Sequence, residues 1–111
     1  MIKYGERLDR TFHALADATR RAMVEHLART PASVSELARP FAMSMPAVVQ
    51  HLRVLEDAGI VTSQKVGRVR TVQLAPDALA LGSDWINRQR LPAEQQLDRL
   101  GDVLAADTTK D

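Results

Sequence analysis

The feature that most constrains this chain is a pair of short helical segments, each with its own start and stop signals. Ser33 precedes Glu36 by three residues, which is the spacing of a capping box, and Pro40 stops the helix that this box begins. A second helix over residues 44–58 begins at a serine cap and ends before Gly59. Two short helices joined by a tight break are typical of a helix-turn-helix motif.

Two segments rich in β-branched residues follow this pair of helices. Ile60–Val66 and Val69–Leu74 are separated by a glycine and an arginine, so we predict a β-hairpin over 60–74. The hairpin contains three basic residues within a span of six positions, which favours a wing against the phosphate backbone or minor groove of DNA. The alternative is an edge hairpin whose charges discourage aggregation. These residues are Lys65, Arg68 and Arg70.

Further helical patterns flank the motif. Residues 4–15 and 18–29 each have an apolar face at helical spacing, and Asp17 is the predicted N-terminal cap of the helix over 18–29. A last helical region runs from Pro76 to about residue 106, and Gly82 and Pro92 interrupt it, giving either two pieces or one kinked helix. We therefore predict a mainly α protein with a short β-hairpin: a winged helix-turn-helix in the order α-α-α-α-β-β-α.

Composition sets the protein class. The chain has 111 residues, 45% of them hydrophobic and 26% charged, which excludes an intrinsically disordered chain. We expect one domain over residues 1–106 and a disordered tail over 107–111. No apolar run approaches the ~18 residues of a membrane span, and the first ten residues lack the apolar segment of a secretory signal. With no cysteine in the sequence, we expect no disulfide, no membrane association and a cytoplasmic location.

The charge is distributed unevenly along the chain. Residues 1–74 contain eleven basic and seven acidic side chains, whereas residues 75–111 contain four basic and seven acidic ones. A basic body followed by an acidic segment suits a module that binds a polyanion.

The helix over 44–58 separates into two arcs when its residues are placed 100° apart. The apolar arc, which is expected to face the core, consists of Ala47, Val48, Leu52, Leu55 and Ala58. The outward arc consists of Met45, Pro46, Val49, Gln50, Arg53 and Asp57.

The outward arc contains the residue types that read DNA in the major groove. Gln50 can pair with adenine, and Arg53 can reach guanine or a phosphate. Val49, with Met45 nearby, is predicted to contact a thymine methyl group, although an isolated apolar residue is also common on protein surfaces. Serine-capped helices also direct backbone amides towards phosphate. The predicted DNA-binding residues are Ser33, Ser44, Met45, Pro46, Val49, Gln50, Arg53, Lys65, Arg68 and Arg70.

Two functions fit this pattern. The first is a sequence-specific transcriptional regulator that binds double-stranded DNA, and a two-fold dimer of it would bind an inverted repeat. The alternative is a winged-helix protein-interaction module without sequence-specific DNA binding, in which Val49 and Met45 meet a protein partner. Phosphate-driven binding weakens steeply with salt, so ionic strength distinguishes the two.

Several segments together resemble the ArsR (arsenical-resistance-regulator) family. They are HALADATRR at 13–21, MSMPAVVQHLRVLEDAGIV at 43–61, the Gly67–Arg68 turn and Leu74–Pro76, and the resemblance covers about residues 8–76. It implies a homodimeric winged helix-turn-helix regulator that usually represses and usually releases DNA on binding an effector. The family dimerises through its first and last helices, which implies an interface of Leu8, Phe12, Trp85, Leu97, Leu100 and Leu104. The alternative is that these side chains pack onto their own domain.

The chain departs from the family at the metal-sensing positions. Many members bind metals through cysteines on the third helix, and others through histidine and carboxylate on the last helix. Residues 32–38 contain no cysteine, and the region after residue 75 contains no histidine. Thiolate or imidazole ligands are what soft-metal and zinc sites require, so we predict no metal site and no cofactor. An unidentified small-molecule or protein effector stays open. Met45 and Val49 also replace residues that are often polar in the family.

No catalytic constellation is evident, and we predict that the protein is not an enzyme. The three histidines, His13, His26 and His51, do not pair with serine or aspartate at a catalytic spacing, although each could titrate near neutral pH. His51 is expected to be a packed residue with one hydrogen bond, with a phosphate contact as the alternative. Of Arg20 and Arg21, one is expected to bond locally to Asp17 or another acid, and the other to touch phosphate.

Overall fold

The computed structural model describes residues 4–89 and 91–108. These residues form six helices and three strands, which confirms the predicted fold class. In chain order they are α1 (Tyr4–Leu15), α2 (Ala18–Arg29), β1 (Ala32–Ser33), α3 (Val34–Ala38), α4 (Met45–Asp57), β2 (Val61–Val66), β3 (Val69–Leu74), α5 (Ala80–Arg88) and α6 (Pro92–Thr108).

The helix boundaries follow from local hydrogen bonds. The Asp17 carboxylate accepts from the Arg20 amide at 3.1 Å, so it caps α2. Ser33 and Glu36 form the predicted capping box at the start of α3. Each such cap stabilises its helix by about 0.5–2 kcal/mol. At the end of α4, Gly59 adopts a φ of 76° and donates to the Glu56 carbonyl, a left-handed turn that stops the helix as predicted.

A three-stranded antiparallel sheet, ordered β1-β3-β2, replaces the predicted two-stranded hairpin. The two residues of β1 pair with β3, with Ala32 opposite Val72 and Ser33 opposite Thr71. From the sequence, the segment that contains β1 is predicted to be only a break between helices, because two residues are too few to show the alternation of a strand. Both Ala32 and Val72 are buried, so the extra strand ties the start of α3 to the hairpin.

The core lies between α2, α4 and the sheet. Its largest fully buried side chains come from these elements, from α3 and from Ile60, which lies between α4 and β2: Met23, Leu37, Val48, Leu55, Ile60, Val61 and Val72. Burying one such side chain contributes about 1.5–3 kcal/mol. The core therefore fixes which side of α4 faces inwards.

The C-terminal region forms two helices, which settles the alternative left open by the sequence. The break lies before Pro92, as the missing amide of proline favours. Gly82 was wrongly predicted to interrupt a helix: it lies buried within α5, and a Cβ placed on it would stand 3.5 Å from Thr11 Cγ2 of α1. The helix also begins at Ala80 rather than near Pro76, since the chain turns at Asp77, whose φ is 55°.

The helix α6 exposes its apolar side chains in the single chain. Leu97, Leu100, Val103 and Leu104 are 55–68% exposed. The alternative in which the leucines of α6 pack onto their own domain is therefore wrong for this structure. The helix ends at Thr108, within the predicted tail, and residues 109–111 lie outside the described part of the chain. Among the described residues, no helix is long and apolar enough to cross a membrane.

Candidate nucleic-acid interface

The exposed side of α4 is the first component of the site. Ser44 caps the helix by accepting from the Ala47 amide at 3.3 Å, and Pro46 occupies its first turn, where an amide is not required. Because Val48, Leu52 and Leu55 are buried, the opposite side is forced outwards. All six residues of the predicted outward arc are exposed, including Met45 at 46% and Val49 at 39%.

The β2–β3 hairpin is the second component. Lys65 lies directly opposite Arg70 in the register, and Ser63 lies opposite Val72, so all four side chains share one face. Arg70 Nη1 donates to Ser63 Oγ at 2.9 Å, which fixes the direction of its guanidinium. Gly67 adopts a φ of 62° in the turn between the strands, and the exposed Arg68 follows it.

A groove of about 540 Å³ joins the two components. Its lining residues are Val34, Val49, Leu52, Arg53, Glu56, Val61, Ser63, Lys65, Arg68, Arg70 and Val72. Four of these are basic and one is acidic, so the groove carries a formal charge of +3. The groove is a concave, positive surface with an apolar floor. It attracts anions that are large enough to contact both α4 and the hairpin.

The structure brings together five of the ten predicted DNA-binding residues in this groove: Val49, Arg53, Lys65, Arg68 and Arg70. The exposed side chains of Met45, Pro46 and Gln50 lie on the same helix but do not line the groove. Sequence reasoning missed Glu56 and Ser63 as lining residues. Ser63 could have been found because it lies two residues before Lys65 on β2, so both side chains share one face. Glu56 could have been found because it lies one helical turn after Arg53.

The two predicted serines both have structural roles as caps. Ser33 Oγ accepts from the Glu36 amide at 3.1 Å, and the Ser33 amide donates to Glu36 Oε1 at 3.2 Å. This backbone hydrogen bond holds the pKa of the Glu36 carboxyl below its ordinary value. Ser33 is therefore occupied within its own capping box, whereas Ser44 lies at the exposed start of α4.

A polar cluster links α4 to the first two helices. The Arg20 guanidinium donates to the Ala14 carbonyl at 2.7 Å and to the His13 carbonyl at 3.1 Å, and its Nη1 lies 3.1 Å from His51 Nδ1. Asp17 Oδ2 lies 3.9 Å from the same nitrogen. The hydrogen bond from the Arg20 amide is the main cause that lowers the pKa of the Asp17 carboxyl, and the charges of His51 and Arg20 lower it further.

Arg20 bonds locally to Asp17, as predicted for one of the two arginines, but it does so through its main-chain amide. Both arginine side chains bind main-chain carbonyls at the end of α1, and Arg21 Nη1 donates to the Leu15 carbonyl at 2.8 Å. The orphan carbonyls of a helix end attract such donors. His51 does have the packed position and the hydrogen bond that its place on the inward side predicts, and its side chain is 23% exposed.

Exposed apolar side chains lie on α1, α5 and α6. Phe12 and Trp85 meet edge to face, with ring centroids 5.7 Å apart, and both remain more than a third exposed. Leu8 is half-buried. Sequence reasoning missed three further exposed apolar side chains on these helices or between them: Ile86, Leu91 and Val103. In the described part of the chain, no three His, Asp or Glu side chains come together as a metal site.

Comparison with known proteins agrees with this geometry. The family model of the helix-turn-helix domain matches residues 15–64. The chain is 53% identical over 72 residues to the HTH-type transcriptional regulator Rv2034 of Mycobacterium tuberculosis, covering 65% of this chain and 67% of that protein.

Solved structures give the same result. The crystal structure of the ArsR family transcriptional regulator RHA00566 superposes with a TM-score of 0.75 and 41% identity, over 89% of this chain and 97% of that one. The homodimeric winged helix-turn-helix DNA-binding domain of Mb0332 from Mycobacterium bovis shares the fold, with a TM-score of 0.62 and 20% identity over 84% and 83% of the two chains. The chain belongs to the ArsR family of helix-turn-helix transcriptional regulators.

Proposed function

We propose that this regulator is a homodimeric repressor that binds an inverted repeat in double-stranded DNA. The observation that carries the proposal is the single groove in which the exposed side of α4 meets the basic face of the hairpin. A helix in the major groove with a basic wing beside it is how winged helix-turn-helix proteins meet a duplex.

The residues divide by the kind of DNA contact. Gln50 and Arg53 have donors that match adenine and guanine edges, and both are exposed on α4. Met45 and Val49 are apolar side chains of the size that a thymine methyl group contacts. These four residues would supply sequence preference.

The hairpin would supply affinity that depends little on sequence. Lys65, Arg68 and Arg70 present three positive charges from one face and its turn. Phosphate contacts of this kind position a protein on DNA without reading bases. The exposed start of α4 at Ser44 adds backbone amides that favour an anion.

The proposed dimerisation is supported by exposed apolar side chains on α1, α5 and α6. Phe12 and Trp85 contact each other between α1 and α5, and the leucines of α6 are exposed as well. Exposed apolar side chains in such numbers are typical of an interaction surface. The homodimeric state of the Mb0332 domain supports a second copy of this chain as the occupant. The proposed interface consists of Leu8, Phe12, Trp85, Leu97, Leu100 and Leu104.

A two-fold dimer sets the geometry of the operator. Its two α4 helices would enter successive major grooves on one side of the duplex, so the half-sites would lie about 10 bp apart or a multiple of that. Repression follows because the bound dimer denies a promoter to other proteins. An unidentified small molecule or protein effector would relieve it.

The second candidate, a protein-interaction module, is favoured by one observation: Met45 and Val49 are exposed apolar residues on the otherwise polar side of α4. Salt titration of binding to a random-sequence duplex separates the candidates. The DNA-binding account predicts a steep, linear fall of log affinity with log salt concentration. Absence of measurable binding to any duplex at low salt would favour the protein partner.

A further inference from the structure

The Arg20 side chain connects three elements that differ in function. Its Nε and Nη2 donate to the last carbonyls of α1, and its Nη1 lies against His51 Nδ1 on α4. A guanidinium has no acceptor, so His51 Nδ1 must accept, and neutral His51 then carries its proton on Nε2. One side chain therefore joins a helix of the proposed dimer surface to the proposed recognition helix.

This connection is directional, unlike the packing beside it. The buried residues of α4 set how deeply the helix sits in the core, but apolar contacts tolerate small rotations and sliding. A hydrogen bond from a planar guanidinium that is already held by two carbonyls restricts both. Partial burial also shields the contact from water, because Arg20 is half-buried and His51 is 23% exposed.

We infer that Arg20 and His51 are positioning residues that orient α4 relative to α1, and through α1 relative to the other half-site of the operator. The inference rests on the proposed DNA-binding function. Neither residue needs to touch DNA. A small misorientation of α4 would weaken base contacts, which require defined geometry, far more than phosphate contacts, which do not.

The experiment compares specific with non-specific DNA affinity in four proteins. His51→Leu removes the acceptor, and His51→Asn keeps an acceptor near the Nδ1 position. Arg21→Lys is the matched control, because the Arg21 side chain also donates to the end of α1 but, among the described residues, makes no hydrogen bond to α4. The ratio of affinities for a selected operator and a scrambled duplex cancels general electrostatic attraction.

We expect His51→Leu to lower this ratio about tenfold, and His51→Asn and Arg21→Lys to stay within about threefold of the wild type. An unchanged ratio in His51→Leu, or an equal loss in Arg21→Lys, would overturn the inference.

A measurement without DNA keeps the inference separate from the proposed function. Amide hydrogen exchange across α4 should be faster in His51→Leu than in the wild type, and His51→Asn should resemble the wild type. Should the protein select no operator while this exchange pattern appears, the DNA-binding proposal fails and the positioning role stands. Equal exchange in all three proteins refutes the positioning role whatever the DNA result.

Discussion

Arg68 offers the sharpest test of the wing. It follows Gly67 in the hairpin turn, is exposed and lines the groove beside Arg53. If its guanidinium neutralises one phosphate, Arg68→Ala removes one contact, and the slope of log affinity against log salt becomes shallower by about 0.9. Between 50 mM and 200 mM salt, the variant should therefore lose about 3.5-fold less affinity than the wild type.

The assay is a fluorescence anisotropy titration of one operator duplex at four or more salt concentrations. Arg29→Ala is the matched control, since it removes the same charge from an exposed position at the end of α2, outside the groove. Its slope should equal that of the wild type. An Arg68→Ala slope equal to the wild-type slope, or an Arg29→Ala slope that changes as much, would refute the assignment of the hairpin as a phosphate-binding wing.

Four further predictions concern single side chains. Gln50→Ala should relax the base preference at one position of each half-site, because its amide would no longer pair with adenine, and this is measured by repeating the selection with the variant. Ser44→Ala should lower the free energy of unfolding by about 1 kcal/mol in a denaturant titration, since it removes the cap of α4. Leu100→Glu should give a monomer by light scattering, as it places a charge on the apolar surface of α6; a dimer would contradict the proposed interface. The capping hydrogen bond lowers the folded-state pKa of Glu36, so its stabilisation is present above the ordinary pKa of 4.5 and lost as pH falls through the lower folded value. Glu36→Gln should therefore flatten the dependence of stability on pH in that acidic range.

The sequence predicts the parts of this fold that depend on near neighbours. The caps at Asp17, Ser33 and Ser44 and the stop at Gly59 involve residues within three or four positions, so their spacing is visible along the chain. The apolar arc of α4 is likewise set by periodicity, and its outward side follows by exclusion.

Features that depend on distant partners could not be predicted. The strand β1 exists because Ala32 meets Val72, forty residues away in the sequence. Gly82 lies within a helix because α5 approaches α1 closely there, an arrangement that a local preference against glycine cannot reveal. The Arg20 side chain binds the carbonyls of the preceding helix, since the turn at residues 16–17 brings that helix end within its reach.

The candidate site shows the same division. Periodicity along α4 places Arg53 on its outward side. Alternation along the hairpin, with Lys65 paired to Arg70, places these two side chains on one face. Only the packing of β2 against α4 shows that these faces enclose one groove with Glu56 in it.

Selection of random duplex DNA by the purified protein at physiological salt tests the central claim most directly. The account predicts enrichment of an inverted repeat whose half-sites are centred about 10 bp, or a multiple of it, apart. Enrichment of a single unrepeated half-site would contradict the dimer. Recovery of no sequence above the starting pool would contradict sequence-specific recognition by α4.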